Sequence, residues 1–412
     1  MTPGDKARIL FLAPFPPRLD GPHGGSRVLA EVLCRLSATH RAALMYLRSG
    51  AEMPCDPCLR SLCEFVEEVG RPGRGHSRAD RYRWWAGLAR SLLKGQPMWV
   101  GDWSVPAFRT ALERVLAGWK PDIIQAEYHI MGQYVADLKG PWCHVLTEYE
   151  PGVAAAAERF RESRGIRKMI YRADLQAWQR YERALVERID RVVAFTERDR
   201  RQILDLAPHA RVARIPIAAH VPERPLHVPR GPLNVLFIGN FVHPPNVDAS
   251  LRLMDRIFPL VRSRCESAEL IILGDGATSG MLKRAQRTGN VRVAGRVDDV
   301  KPWIERASVM VAPLRLGGGM RVKVLEALAY GKPLIASSLA VEGLEVANGR
   351  DFLLAESDEE FAGNILDLLR NPAKRDTLAH NAWLWARANL SWQKTAESYE
   401  RLYRELEIAC AV

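Results

Sequence analysis

Residues 312–345 read APLRLGGGMRVKVLEALAYGKPLIASSLAVEGLE, a stretch in which an apolar run enters a helical pattern through three consecutive glycines. The apolar run predicts a buried strand, and the helix is expected from about Met320 to Tyr330, where Gly331 and Pro333 end it. Glycines at such a junction let the backbone approach a ligand, and the N–H groups of a helix start attract anions. The stretch therefore predicts an anion site at a strand end of an α/β fold.

Two cations lie in the first turn of this predicted helix, where the helix dipole disfavours positive charge. Arg321 and Lys323 make sense there if a dianion such as a diphosphate lies between them and the helix end. Glu326 follows Lys323 by three positions and shares its face, so its carboxylate can accept hydrogen bonds from the hydroxyls of a ribose. The turn predicts a nucleoside diphosphate site; an ordinary surface helix with salt bridges is the alternative.

The length and charge of the chain limit the function classes. A chain of 412 residues suits two domains. Its net charge of +11 favours acidic partners such as nucleotides or anionic lipid surfaces, with a plain compositional bias as the alternative. No nucleic-acid-binding module accompanies the charge, so we expect no nucleic acid partner. Without a signal peptide pattern or a long apolar run, a cytoplasmic location is expected, which includes the inner face of the membrane.

Strand and helix patterns alternate along the chain, which predicts parallel sheets covered on both faces. Five prolines lie within 216–232 and indicate a linker. The fold class is predicted as α/β, with two doubly wound, Rossmann-like domains facing each other across a cleft that binds ligand at strand ends. We predict the following division: an N-terminal Rossmann-like domain at 1–216, a linker at 217–232, a nucleotide-binding domain at 233–390 and a C-terminal helix at 391–412 that returns to the first domain.

Three cysteines, Cys55, Cys58 and Cys63, form a CxxCx4C cluster of the kind seen in zinc and iron–sulfur sites. A metal would need a fourth ligand, which the chain offers at Cys34, His40 or His76. No second CxxC pair supports such a site, so we predict no metal and reduced thiols.

With these residues, the chain resembles the GT-B glycosyltransferases of the large family 4, a retaining group that uses nucleotide sugars. The likeness is strongest over 233–345 and fair at FPPRLDGPHGGSRVLAEVL, YERALVERIDRVVAFTERDR and SWQKTAESYERLY. It implies metal-independent transfer of a hexose from a nucleoside diphosphate such as UDP to a hydroxyl of a glycan, a lipid-linked acceptor or a small molecule, without a further cofactor. The GGGxRxK variant resembles a subgroup associated with polysaccharide loci.

The resemblance implies donor contacts at the following positions: Gly24, Gly25, Gly239, Asn240, Arg296, Val297, Gly317, Gly318, Gly319, Met320 and Glu326. Glu326 would bind the ribose, and the glycine loop would hold the phosphates and the sugar. The backbone of 296–297 would lie beside the nucleobase, and 24–25 would approach the diphosphate from the N-terminal domain.

The chain departs from the family pattern in its charged residues. Family members usually carry two glutamates, but Gly318 occupies the position of the first, eight residues before Glu326. Many members place Arg and Lys after the first strand of the second domain, where this chain has GNFVHPPN. We therefore predict that Arg321 and Lys323 have taken over the phosphate charge and act in catalysis.

Polar residues at other strand ends are weaker candidates. The family's usual histidine after the strand ending near 147 is replaced by Glu148, Tyr149 and Glu150, and both glutamates are predicted catalytic candidates. Weaker acceptor or sugar contacts are predicted at Glu127, His129, Tyr149 and His243. The alternative for each carboxylate is capping of the next helix or pairing with arginine. Asn246 is predicted to cap a helix rather than bind ligand.

The segment RYRWWAGLARSLLKGQPMW interleaves apolar residues, Trp84, Trp85, Leu88 and Leu92, with cations. Their helical spacing predicts one broad apolar face over 81–94, which suits either a peripheral membrane contact or packing onto the sheet. Two other functions share the expected architecture: a nucleotide-sugar 2-epimerase and a non-catalytic nucleotide-binding scaffold.

Overall fold

The computed structural model describes residues 6–21, 24–50, 52–72, 77–231, 233–297, 299–317 and 321–410. The chain divides into two compact units. Unit 1 comprises Met1–Pro216 and Gln393–Val412, and unit 2 comprises Ile217–Gly317 and Arg321–Trp392. Each unit is a parallel sheet with helices, which confirms the predicted α/β class.

Within the described residues, unit 1 contains a seven-stranded parallel sheet in the order β3-β2-β1-β4-β5-β6-β7. Its strands are β1 (Arg8–Ala13), β2 (Arg41–Arg48), β3 (Val66–Gly70), β4 (Ile123–Glu127), β5 (Cys143–Glu148), β6 (Arg191–Ala194) and β7 (Val212–Arg214). Its first nine helices are α1 (Gly24–Thr39), α2 (Pro57–Leu62), α3 (Arg78–Leu93), α4 (Met98–Asp102), α5 (Pro106–Trp119), α6 (His129–Gly132), α7 (Gly152–Glu162), α8 (Ile166–Arg188) and α9 (Glu197–Leu206). The central strands β1, β4 and β5 are almost wholly buried, as helices on both faces require.

Unit 2 contains, within the described residues, a six-stranded parallel sheet in the order β10-β9-β8-β11-β12-β13. Its strands are β8 (Asn234–Ile238), β9 (Glu269–Leu273), β10 (Val291–Gly295), β11 (Val309–Ala312), β12 (Leu334–Ala336) and β13 (Leu353–Leu354). Its helices are α10 (Pro244–Arg252), a π-helical turn (Leu253–Ile257), α11 (Phe258–Arg262), α12 (Ser279–Thr288), α13 (Lys301–Arg306), α14 (Val322–Ala329), a 3-10 turn (Leu339–Val341), α15 (Asp358–Arg370) and α16 (Pro372–Asn389).

The last helix, α17 (Trp392–Cys410), belongs to unit 1 from Gln393 onward. The Tyr403 hydroxyl donates a hydrogen bond to the Gln125 side chain on β4, and the Thr395 hydroxyl donates to the Pro216 carbonyl oxygen at 2.9 Å. The buried contact of Tyr403 fixes the helix to the first sheet.

The proline-rich segment predicted as a linker packs onto unit 2. The buried Lys332 ammonium donates to the His227 carbonyl oxygen at 2.7 Å and to the carbonyl oxygens of Glu305 and Ala307. The Leu226 N–H donates to the Tyr330 carbonyl oxygen at 2.9 Å. The prolines prevent this segment from pairing as a strand, so its carbonyl groups need other donors. Lys332 of unit 2 supplies one of them.

The described residues contain neither a group of side chains suited to a metal ion nor a membrane-spanning helix. Among the described residues, no three or more His, Cys, Asp or Glu side chains are grouped to hold a metal ion, and His76 lies outside those residues. In the same part of the chain, no helix combines the length and apolarity needed to cross a bilayer.

The expectation of reduced thiols throughout is wrong at Cys143, which is disulfide-bonded at the start of β5. A scattered cysteine carries no sequence signal for its pairing, so the bond was not predictable. Cys34, Cys55, Cys58 and Cys63 are free thiols.

Candidate functional site

The candidate site lies in unit 2, at the carboxyl ends of β8 and β11. The strand order reverses here, because β9 lies on one side of β8 and β11 on the other. Such a switch point opens a crevice at the strand ends. Gly239 and Asn240 follow β8, the loop to Gly317 follows β11, and α14 starts beside them.

Glycines allow three loops to pack closely around this crevice. At Gly274, after β9, a Cβ atom would lie 1.8 Å from the Gly239 carbonyl oxygen, and at Gly239 it would lie 3.0 Å from Asn246 Cβ. Gly317 has a φ of +97°, and its Cβ would lie 2.9 Å from Pro245 Cγ. A side chain at these positions would push the loops apart. The glycines therefore serve the protein's own packing, a role that the sequence did not indicate.

Lys323 extends from α14 to the first turn of α10. Its ammonium group donates a hydrogen bond to Asn246 Oδ1 and lies 4.7 Å from the centre of the Phe237 ring. The Asn246 amide nitrogen donates to the Asn240 carbonyl oxygen at 2.8 Å. This second bond turns the amide oxygen toward Lys323. Asn246 thus holds the ammonium group at the switch point.

The environment of Lys323 disfavours its charge in the absence of a ligand. Burial, followed by repulsion from the Arg321 guanidinium, lowers the pKa of Lys323 to about 7, while the Glu326 carboxylate opposes the shift. An anion placed beside the ammonium group would favour its charged form. The site is therefore short of negative charge, as expected of a site for phosphate.

Arg321 connects the glycine loop to the start of α14. Its guanidinium donates to the Gly317 carbonyl oxygen at 2.6 Å. The helix begins at Val322, so Arg321 occupies the N-cap position and not the first turn as predicted. Glu326 is partly buried one turn along the same helix as Lys323. The predicted donor residues Gly318, Gly319 and Met320 lie outside the described residues.

The helix-cap prediction for Asn246 is wrong. The helix α10 begins at Pro244, with His243 at the cap position, and no side chain caps it. Proline suits the first helical position because its φ is fixed and the missing N–H is not needed there, so the helix starts three residues earlier than predicted. The Asn246 side chain is thereby free to hold Lys323. His243 is exposed at this helix start, and its contact with sugar stays a prediction.

The predicted nucleobase contacts follow β10. Gly295 has a φ of +69°, and no heavy atom lies within 4 Å of the position that a Cβ would take. Arg296 is exposed and Val297 is partly buried. The open space beside this turn suits a flat ring, and the role of the two residues stays a prediction.

In unit 1, Gly25 makes room for an aromatic side chain. A Cβ there would lie 2.2 Å from the Tyr128 hydroxyl oxygen and 3.2 Å from Phe15 Cζ. The helix α1 begins at Gly24. The space beside Gly25, which was expected to admit a diphosphate, is therefore occupied by side chains of the protein itself. Phosphate contact at 24–25 stays a prediction.

Tyr128 is a residue that the sequence analysis missed. It follows β4 with φ +67° and ψ +145°, a conformation that costs a non-glycine residue of the order of 1–3 kcal/mol. The Tyr149 ring stacks on it with centroids 4.0 Å apart. Strain of this kind concentrates at functional sites, but the residue type gives no sign of it.

Three predicted contact residues at this end of the sheet are buried: Glu127, His129 and Glu148. His129 Nδ1 lies 3.0 Å from Glu148 Oε2, and Glu127 accepts a hydrogen bond from Gln125 at 2.7 Å. Burial raises the pKa of Glu148 well above its usual range, lowers the pKa of His129 and raises the pKa of Glu127 to about 7. Their side chains contact protein, whereas Tyr149 and Glu150 are partly exposed. Ligand contact at all five stays a prediction.

The expectation of one apolar face over 81–94 is wrong, because the face divides between core and solvent. Leu88 is buried, and the Trp84 indole donates to Asp102 Oδ1 at 2.6 Å. Tyr82, Trp85 and Leu93 are exposed. The hydrogen bond to Asp102, in the short helix α4, turns Trp84 inward. The helical spacing of the apolar residues could not predict this bond.

Comparisons with known proteins agree with this fold. The family model described as glycosyl transferases group 1 matches residues 232–371. A curated relative, an uncharacterized glycosyltransferase of Methanocaldococcus jannaschii, is 29% identical over 42% of this chain and 48% of its own length. The chain thus spans less than half of the curated relatives it matches first.

Solved structures match over nearly the whole chain. The sucrose-phosphate synthase of Thermosynechococcus elongatus superposes with a TM-score of 0.71 at 17% identity, covering 98% of this chain and 100% of that one. The Anabaena protein HepE, in complex with UDP-glucose, gives 0.68 at 14% identity, covering 97% and 100%. Identity at this level shows the fold alone. Residues 232–371 thus match the glycosyl transferases group 1 family, and the chain has the GT-B fold.

Proposed function

We propose that the chain is a glycosyltransferase that moves a hexose from a nucleoside diphosphate sugar to an acceptor hydroxyl. The observation that carries the proposal is the position of Lys323. Its ammonium group is held by Asn246 at the switch point of unit 2, beside Arg321 and the glycine loop. Two cations at the start of a helix, with backbone N–H groups nearby, suit a diphosphate. Glu326, one turn along, would accept hydrogen bonds from the ribose.

The chemistry needs stabilisation of a leaving diphosphate. Negative charge grows on this group as the bond to the sugar breaks, and fixed cations aimed at it lower the barrier. Arg321 and Lys323 would supply that charge, which makes the proposed reaction independent of a metal. The low pKa of Lys323 in the free protein fits this role, because the ammonium group gains most when the phosphate charge is largest.

The finer features of the reaction extend the proposal. In a retaining reaction the acceptor attacks from the face of the leaving group, and the leaving phosphate takes the acceptor proton. In unit 1, the proposed catalytic carboxylates are Glu150, which is partly exposed after β5, and the buried Glu148. The UDP-glucose complex of HepE supports UDP as the nucleotide to test first. A glycan, lipid-linked or small-molecule acceptor and a cytoplasmic location stay predictions, and the segment 81–94 stays one of two candidate surfaces of unit 1 for membrane contact.

The proposal is tested by incubating the protein with UDP-, GDP- and dTDP-sugars without an acceptor. Slow hydrolysis to the nucleoside diphosphate and free sugar is expected, since water replaces the acceptor. Isomerisation of the sugar would instead identify an epimerase. The absence of both reactions would indicate a non-catalytic nucleotide-binding protein. The Lys323→Gln variant should lower the rate by about two to three orders of magnitude, the range for loss of one charge-stabilising donor. A matched control is Lys283→Gln, which removes an exposed lysine of α12 in the same unit.

A further inference from the structure

The tip of the hairpin formed by α7 and α8 exposes apolar side chains to solvent. Ile166, Met169 and Ile170 are 76%, 73% and 41% exposed. They open α8 just after Gly165, whose φ of +58° makes the turn from α7. Because they are spaced by three and four residues, they lie on one face of the helix. Single exposed apolar residues are common, but a group of three at one tip indicates a contact surface.

Cations surround this apolar face. Between 161 and 172 the chain carries five cations and one carboxylate, and the cations Arg161, Arg164, Arg167, Lys168 and Arg172 are all exposed. At 100° per residue, Arg167 and Arg172 lie about 110° to either side of the centre of the apolar face. Cations flanking an apolar stripe on both sides are the pattern of a helix that lies in the interface of an anionic membrane.

A depression beside the apolar face offers a place for an anionic head group. Its volume is about 400 Å³, and its lining residues are Arg159, Glu162, Ser163, Arg164, Arg167 and Tyr171. Three guanidinium groups and two hydroxyl groups can bind phosphate oxygens, against a single carboxylate. Arg159 also lies 3.6 Å from the buried Asp174 carboxylate, which anchors it to the helix.

We propose that the α7–α8 tip docks on an anionic phospholipid surface, with its apolar face in the interface and a head-group phosphate in the depression. Each cation near the apolar face adds attraction to anionic lipid. This surface is distinct from the exposed residues of α3, Tyr82, Trp85 and Leu93. The inference does not depend on the proposed donor chemistry, because it concerns the binding of unit 1 to lipid.

The experiment measures sedimentation of the full chain with sucrose-loaded vesicles. We compare vesicles of pure phosphatidylcholine with vesicles of phosphatidylcholine in which about a third of the lipid is phosphatidylglycerol. Both are tested at low and at high salt. Three variants are tested: Ile166→Ser/Met169→Ser/Ile170→Ser, Arg167→Gln/Lys168→Gln/Arg172→Gln, and, as matched control, Tyr82→Ser/Trp85→Ser/Leu93→Ser on α3. The substituted residues are exposed, and thermal unfolding with circular dichroism shows whether each variant is folded.

The wild type and the α3 variant should bind the anionic vesicles with similar partition coefficients, and both should dissociate at high salt. Each α8 variant should bind at least tenfold more weakly. Hydrogen exchange should slow over 161–173 when anionic vesicles are added to the wild type. Loss of binding in the α3 variant with retention in both α8 variants would overturn the proposal. Absence of wild-type binding at low salt, or equal binding to neutral vesicles, would also overturn it. Donor hydrolysis without vesicles reports on the proposed function separately.

Discussion

Binding of a nucleoside diphosphate is expected to become weaker as the pH rises above 7, because Lys323 must be protonated in the complex. In the free protein, burial and the nearby Arg321 lower the pKa of Lys323 to about 7. A diphosphate beside the ammonium group stabilises the charged form and raises this pKa. Above pH 7 the free protein has therefore lost the proton that the complex retains, so binding takes up a proton.

The size of the effect follows from the pKa of the free protein. If the complex stays protonated, the apparent dissociation constant grows in proportion to 1 + 10^(pH − 7). This factor rises about 50-fold between pH 7 and pH 9, which corresponds to about 2.3 kcal/mol of binding free energy. A terminal phosphate group, with a second pKa near 6, is already largely ionised over that range and adds little.

Isothermal titration calorimetry with UDP measures both the affinity and the proton uptake, when it is repeated in buffers of different ionisation enthalpy. The wild type should lose affinity from pH 7 to pH 9 and should take up close to one proton at pH 9. Lys323→Gln should bind more weakly at pH 7 and show no such slope, whereas Lys283→Gln should match the wild type. A wild-type affinity that is constant over this range, or a slope that persists in Lys323→Gln, would refute the reasoning.

Three further predictions concern the two units. Glu326→Ala should raise the KM for the donor at least tenfold with a smaller effect on kcat, and an unchanged KM would exclude a ribose contact. Gly25→Ala places a methyl group where the Tyr128 hydroxyl lies, so it should destabilise the protein by about 1–3 kcal/mol, and Tyr128→Phe should restore part of the loss in thermal unfolding. The buried Glu127 has a pKa of about 7, above its usual 4.5, so its protonated form favours the fold. Stability should be full below about pH 4.5 and decrease by up to about 3 kcal/mol as the pH rises through 7. Glu127→Gln should remove that part of the pH dependence in denaturant titrations, and an unchanged pH profile would contradict the burial argument.

The sequence predicted the strand and the helix on either side of the triple glycine, because an apolar run and a helical pattern meet there. The run before the triple glycine became β11, and the helix after it became α14. The strand β3, with the sequence VEEVG, was missed. It is an edge strand whose two glutamates remain partly or fully exposed, so its pattern does not stand out from a loop.

The candidate site was predicted in its charges but not in its geometry. Arg321 and Lys323 were identified because cations at a helix start are unusual. The sequence did not show that Lys323 reaches Asn246 on another helix, since that contact depends on how α10 and α14 pack. The backbone of Tyr128 is likewise set by the surrounding fold and leaves no trace in the residue order.

The central claim is that a diphosphate binds between the glycine loop and the paired cations of unit 2. A crystal structure of the protein with UDP tests it most directly. The account predicts phosphate oxygens within hydrogen-bonding distance of Lys323 Nζ and the Arg321 guanidinium, with the ammonium group shifted from Asn246 toward the ligand. A diphosphate bound elsewhere, with Lys323 still donating only to Asn246, would contradict it.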